Sequence, residues 1–371
     1  FESLAQLMMT HNSDQMRKIF FGQNSFALYQ FQGFNKSVQT FQKIMRLFQL
    51  LCEGHYADLQ NYLRDQSVGN EQRGVESIDF INHSVVMFGS FVKFFNRECA
   101  TIGISLMDFL IEALQGPCRG NQERVVKCKV LDFCKDFIND LNSNSQDLAS
   151  RGFNLSNDLD RMTINTLFNK TIKLLLSILE LNLQSDIIKY IGYNIEFDYL
   201  MNRIKTTYLD FVQALKAKPM DNDLIMKVKT KTFDEHIKLG FNIFFFICIV
   251  EDSAKLYTEK IANLSGVDLK AFEFFKANSV HIEINFYGSI QKVYFLKHPA
   301  CNYADSDFKI HILEEVRRDS SNEKVADFLS FAPSFSNQMD HTFEMTKRRG
   351  IRPIYLNYVR DLALIVSFIL K

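Results

Sequence analysis

Glu53 and His55 flank Gly54 in the stretch Phe41–Gln66, FQKIMRLFQLLCEGHYADLQNYLRDQ. A carboxylate and an imidazole on either side of a helix break could form half of a cation site. Glu112 and Gln115 supply a second pair of oxygen-bearing side chains. They lie three apart in ISLMDFLIEALQ (104–115), so both project to one side of a helix. Gly116-Pro117 then stops that helix, because proline cannot continue it and restricts the residue before it. An acid and an amide in a last turn, near the carbonyls of a helix end, make a cation-friendly spot. The same residues also fit a plainer description: an amphipathic helix with a break, and surface positions on another helix.

These residues need helices to position them, and the chain supplies many. In the opening stretch Ile44, Leu47, Phe48 and Leu51 recur at helical spacing, which predicts a helix over 41–51. A second helix is expected over Tyr56–Leu63, with Leu59, Tyr62 and Leu63 inward. Residues 1–40 read as two short helical segments, and Ser67–Gly74 as a polar loop. Further helices are expected over Val75–Phe95, Ile104–Gln115, 121–141, Met162–Leu183 and Asp186–Leu215, with Asn142–Asp160 as a polar separator. This succession reads as an irregular armadillo-like α-solenoid without a strict repeat.

The segment Lys216–Thr232 is a charged joint. Its Asp221-Asn222-Asp223 resembles the start of a calcium loop but lacks the glycine at loop position 6 and the glutamate at position 12, which excludes an EF-hand. Phe233–Leu256 predicts a helix whose apolar run, Phe241–Val250, is too short to cross a bilayer. Another helix is expected over Asp268–Asn278. The period then changes. His281–Phe286 alternates strictly, Gly288-Ser289 follows, and Ile290–Leu296 completes a hairpin with a glycine-first turn. A strand is expected at 308–316, and helices over Val325–Phe331 and Phe335–Thr346. The fold class is therefore mainly α: a solenoid followed by a small α+β domain with a β-hairpin.

Composition narrows the functional classes. The chain has 371 residues, with 43 basic and 43 acidic side chains, which argues against a phosphate-held nucleic-acid binder. Seven cysteines without a C-x-x-C pair give no support to a zinc ribbon or a disulfide framework; free, mostly buried thiols are expected. Asn82-His83-Ser84 lies in a helical pattern and reads as a chance triplet rather than a glycan acceptor. There is no P-loop, G-x-S-x-G, H-E-x-x-H or deaminase pattern, so an enzyme is not expected. The chain opens at Phe1 without a signal peptide and closes in an apolar run after Lys347-Arg348-Arg349, and reads as part of a larger polypeptide. Residues 347–371 fit either entry into a membrane from the cytoplasmic side or a terminal core helix.

Four stretches resemble the intracellular calcium-release channels, the inositol trisphosphate receptors and ryanodine receptors. They are RLFQLLCEGHYADLQNYLRDQ (46–66), LIEALQGPCRGNQ (110–122), KLGFNIFFF (238–246), and HIEINFYGSIQKVYF (281–295) with NEKVADFLSF (322–331). The resemblance implies that 1–232 is the last helical-repeat domain before the membrane, 233–346 a juxtamembrane intervening lateral domain, and 347–371 the start of the first transmembrane helix. It favours the inositol trisphosphate receptor branch, because the short joint 216–232 has no room for an EF-hand pair and Arg348 leads almost directly into the apolar run.

The resemblance also implies a function. The family's activating calcium site falls on Glu53, His55, Glu112 and Gln115, with a closing main-chain carbonyl from a C-terminal domain outside this sequence. The implied partners are the rest of the channel polypeptide, a homotetramer and the membrane, with no nucleic acid. The implied location is the endoplasmic reticulum or a related calcium store, with this segment mostly on its cytosolic face. The family's ATP site maps around Asp305–Lys309, where Lys309 is the one basic residue. The expectation is thus a calcium-sensing regulatory segment of a ligand-gated calcium-release channel; the alternative is an α-solenoid scaffold without a metal.

Overall fold

The structure, a computed structural model, describes residues 29–67, 77–181, 185–216, 222–297 except 287, and 301–345 except 302, 318, 319, 321, 322 and 324. Of the two short helices expected over 1–40, residues 1–28 lie outside the described residues and 29–40 belong instead to one helix continuous with that expected over 41–51. Part of the polar loop after Ser67 and the apolar tail 347–371 also lie outside the described residues. The chain divides into two compact units, Phe1–Tyr294 and Phe295–Lys371.

In the first unit the helices are α1 (Tyr29–Cys52), α2 (Ala57–Arg64), α3 (Phe80–Lys93), α4 (Ala100–Leu114), α5 (Arg119–Lys127), α6 (Val130–Leu141) and α7 (Ser145–Ser150). They continue as α8 (Asp158–Leu179), α9 (Ser185–Asn194), α10 (Phe197–Lys216), α11 (Asn222–Ala254), α12 (Thr258–Ala262) and α13 (Gly266–Ala277). A two-stranded sheet follows, β1 (Ser279–Phe286) and β2 (Ser289–Leu296). The mainly α architecture with a small hairpin is thus the observed one.

A spine of three helices organises the packing. α4 lies against α1, α3, α5 and α8; α8 lies against α6 and α11; α11 lies against α9, α10 and α13. The sequence explains why α4 is central. Leu106, Phe109, Leu110 and Ala113 are all fully buried, as their spacing predicts, and Gly103 lets the Phe91 ring sit where a β-carbon would meet it at 2.2 Å. Phenylalanines fill the interior at edge-to-face distances. Phe137 touches Phe91 at 5.3 Å and Phe95 at 5.0 Å, and Phe241 meets Phe275 at 5.0 Å. Such pairs add about 0.5–1.5 kcal/mol each beyond their area burial.

Several expected boundaries shift, each for a local reason. α1 turns Phe41, Met45, Phe48 and Cys52 inward and leaves Leu47 43% exposed, so its buried stripe is rotated from the predicted one and led by larger side chains. The helix expected over 121–141 is two, because Lys129 takes a left-handed φ of 64° between α5 and α6. The polar separator holds α7, whose cap residue Asn144 accepts from the Asp147 amide. The helix expected over Asp186–Leu215 divides between Asn194 and Phe197. The charged joint is helical from Asn222, where α11 begins. Gly288, at φ 79°, closes the hairpin turn immediately before β2 instead of opening it.

The second unit contains α14 (Ser306–Glu315) and a helix over 325–345, α15. α14 replaces the strand expected at 308–316. Phe308, Ile310 and Ile312 alternate, but Ile312 and Val316 are the buried pair, four apart, and Asp305 caps the helix by accepting from the Asp307 amide at 2.8 Å. The two expected helices 325–331 and 335–346 merge through Pro333 into one. All seven cysteines are free, four of them buried and Cys301 exposed. Among the described residues, no helix is long and apolar enough to cross a membrane.

Candidate functional site

The break after α1 is a tight turn. Gly54 and His55 both adopt left-handed backbone, with φ 77° and 59°, and the His55 amide donates to the Cys52 carbonyl at 3.1 Å. A side chain beyond glycine is uncommon in this conformation. The turn carries Glu53 and His55 on an exposed surface and sends the chain into α2.

α4 ends in a complementary way. Gln115 is its C-cap, with ψ 153°, and Gly116 follows at φ 100°. A β-carbon on Gly116 would lie 2.5 Å from the His55 β-carbon, so the imidazole sits directly against this glycine. The Gly54–His55 turn and the Gly116-Pro117 stop are therefore in contact.

Two buried amides lock these segments together, and a third holds the end of α8. Gln60 of α2, 1% exposed, donates through Nε2 to the carbonyls of Glu112 and Gln115, both at 2.8 Å. Asn121 of α5, fully buried, donates through Nδ2 to the carbonyls of Gln60 at 3.0 Å and Ala113 at 2.8 Å. Its Oδ1 accepts from Arg64 Nη1 at 2.8 Å. Gln122 does the same for the end of α8, donating to the carbonyls of Ser177 at 2.9 Å and Glu180 at 3.1 Å. Glu180 Oε2 in turn accepts from the Gly116 amide at 3.1 Å. Gly120 leaves the space that the Arg64 guanidinium occupies, since a β-carbon there would meet Nη1 at 2.1 Å.

This corrects one part of the sequence reading. The helix-end carbonyls of α4 expected to favour a cation are held by Gln60 and Asn121. What α4 offers a cation is the side chains of Glu112 and Gln115. The signal for the amide seam was present in the sequence: Gln60, Arg64, Gly120, Asn121 and Gln122 all lie inside the two motif stretches.

Glu112 and Gln115 open onto a cavity of about 650 Å³, which Asp108, Lys170, Lys173 and Glu180 also line. Its walls are mostly apolar, from Ile111, Leu176, Phe245 and the hairpin residues Ile282 and Ile284. Glu53 and His55 do not line it. The structure therefore joins His55 to the Gly116 end of α4 and sets Glu112 and Gln115 on a common cavity, without gathering all four side chains. Among the described residues, no three His, Cys, Asp or Glu side chains are grouped as a metal site.

The thiols beside the turn, Cys52 and Cys118, are buried. Burial pushes the Cys52 thiol up to about 12, with the neighbouring Cys118 and Glu112 adding to the effect. Burial likewise raises Cys118, against lowering contributions from an Asn121 hydrogen bond and Arg64. Lys309 lies exposed on the first turn of α14, after Asp305 and Asp307, and the Asp305 carboxylate already caps that helix end.

Residues 35–138 match the family model described as RyR and IP3R Homology associated. The matched span holds both motif stretches that build the seam, with Glu53, His55, Glu112 and Gln115. The match supports the calcium-release channel family and does not separate its two branches.

Proposed function

We propose that this chain is a cytosolic regulatory segment of a ligand-gated intracellular calcium-release channel, and that Glu53, His55, Glu112 and Gln115 form one wall of its calcium sensor. The observation that carries the reading is the matched span 35–138, within which buried amides fasten the Glu53–His55 segment to the Glu112–Gln115 helix end. Both sides of the wall then move as one body.

The donor set fits a hard cation in kind. Calcium takes six to eight oxygen ligands. Two carboxylates supply at most four and Gln115 one more, while His55 is better suited to orienting a carboxylate than to ligation. These residues leave the shell short of six oxygens, so a carbonyl from elsewhere in the channel polypeptide would have to complete it. Calcium held by Glu53, Glu112 and Gln115 would supply positive charge at this wall, and a difference in its affinity for the closed and open channel would shift that equilibrium.

The same reading puts the segment on the cytosolic face of the endoplasmic reticulum or a related store, in a homotetramer. The inositol trisphosphate receptor branch is favoured because residues 216–232 contain no EF-hand pair and α11 is already helical from Asn222. In the full channel, Glu53→Ala and Glu112→Ala should each move the calcium-activation curve to higher calcium by about ten-fold. An unchanged curve for both variants would sink the assignment.

A further inference from the structure

Lys170 and Lys173 stand one turn apart on α8, and both line the cavity that holds Glu112. They differ in how their charge is met. Lys170 forms an ion pair with Asp108. Among the described residues, the Lys173 ammonium makes no ion pair or hydrogen bond, and neither does the Glu112 carboxylate. Lys292, the third lysine of the cavity, is held by Asp252 at 3.4 Å. Lys173 is thus the cavity's uncommitted cation and Glu112 its uncommitted anion.

We propose that Lys173 is a tethered cation that competes for the charge of Glu112 and thereby sets the calcium affinity of the sensor. This rests on the calcium-sensing reading above. A partly buried ammonium without a partner is unfavourable unless an opposite charge shares its low-dielectric space. Burial lowers the Lys173 pKa first, the charges of Lys170 and Lys238 lower it further, and Asp108 and Glu112 oppose them. Asp108 is already engaged by Lys170, so Glu112 is the available compensation. A divalent cation drawn to Glu112 meets Lys173 in the same cavity and is repelled by it. The lysine stem is long and flexible, which lets the ammonium swing toward water when the carboxylate is taken. Such a competitor raises the calcium concentration at which the sensor fills, without altering its ligands.

The test is equilibrium binding of radiolabelled calcium to the purified full-length channel polypeptide, with a thermal melt of each variant. Lys173→Gln should move the binding curve to lower calcium by about three- to ten-fold, the scale of one unit charge acting across a partly solvated cavity. Lys173→Arg should leave the curve in place. In a Glu112→Gln background, Lys173→Gln should have no further effect, which separates competition for Glu112 from a general change in surface charge. The melt of Lys173→Gln should not fall, since an unpaired ammonium is removed.

A curve unmoved by Lys173→Gln, with Glu112→Gln still weakening binding, overturns the competitor and leaves the sensor standing. Weaker binding in Lys173→Gln overturns it in favour of a supporting role. A shift that persists in the Glu112→Gln background also overturns it. If neither Glu53→Gln nor Glu112→Gln changes binding, the sensor itself fails, and the proposal with it.

Discussion

The seam between Cys52–Arg64 and Glu112–Gln122 and the unit beyond Tyr294 depart from ordinary polarity in opposite directions. In the seam, polar side chains are inside: Gln60 is 1% exposed, Asn121 0% and Gln122 2%. In the second unit, large apolar side chains face outward: Ile310, Phe328 and Leu329 are 53%, 52% and 61% exposed. Each buried amide of the seam is matched to the carbonyls that a helix end leaves unpaired. The seam therefore closes on itself. The second unit does not close over its apolar groups among the described residues. The difference separates a part of the chain that specifies its own geometry from one whose surface it leaves open.

The strongest way to break this contrast is to remove Asn121. Its single amide serves two carbonyls and one guanidinium. Asn121→Leu keeps the volume but takes the amide from all three groups, at about 1–3 kcal/mol for each one left buried and unpaired. A loss of at least about 3 kcal/mol is expected in chemical denaturation of the chain, large beside a typical total stability of 5–15 kcal/mol. The matching change in the second unit, Leu329→Ser, should cost about 0.5 kcal/mol or less, as for other exposed positions. Comparable losses for the two variants would show that the seam is not special.

Gly116→Ala sharpens the comparison at a smaller scale. It forces a β-carbon onto a residue at φ 100° and into the His55 side chain at 2.5 Å. A cost of about 1–3 kcal/mol follows from the backbone alone. The variant also displaces His55 from the end of α4 while leaving Glu53 and Glu112 in place. In the full channel it should therefore shift the calcium response by less than Glu112→Ala does. An equal or greater shift would make His55 more than an orienting residue.

What could be read from the sequence follows the same division. Long apolar periods gave α3, α4, α8 and the hairpin, because burial repeats at the spacing of the element. The breaks were harder to see. Lys129 is left-handed although nothing in its type asks for it, and α11 begins in a segment whose charge suggested a joint. At 308–316 the alternation predicts a strand, whereas the cap at Asp305 and the buried pair Ile312 and Val316 belong to a helix. The four candidate ligands lie in the motif stretches, where Gln60, Arg64, Asn121 and Gln122 serve the seam instead. Gln60 and Asn121 read as surface residues by type; only their partners, 52 and 61 positions away, make them internal.

The weakest effect tests the second unit from its charged side. Arg317 donates to Asp327 from Nε at 2.9 Å and Nη2 at 3.0 Å, and its amide donates at 3.1 Å. These hydrogen bonds, first the guanidinium's and then the amide's, lower the Asp327 carboxyl to about 2. An unfolded aspartate titrates near about 3.9. The folded value is the lower one, so the pair's stabilisation is fully present above the unfolded pKa and is lost as pH falls toward about 2. The pair is at the surface, where solvent and salt screen it, so its share of stability is small. The carboxyl chemical shift of Asp327 followed against pH should show a midpoint near 2, and Arg317→Gln should return it toward the ordinary range. A midpoint already ordinary in the unmodified chain would mean that the pair does not persist in solution, and that the second unit lacks even this surface clasp between α14 and α15.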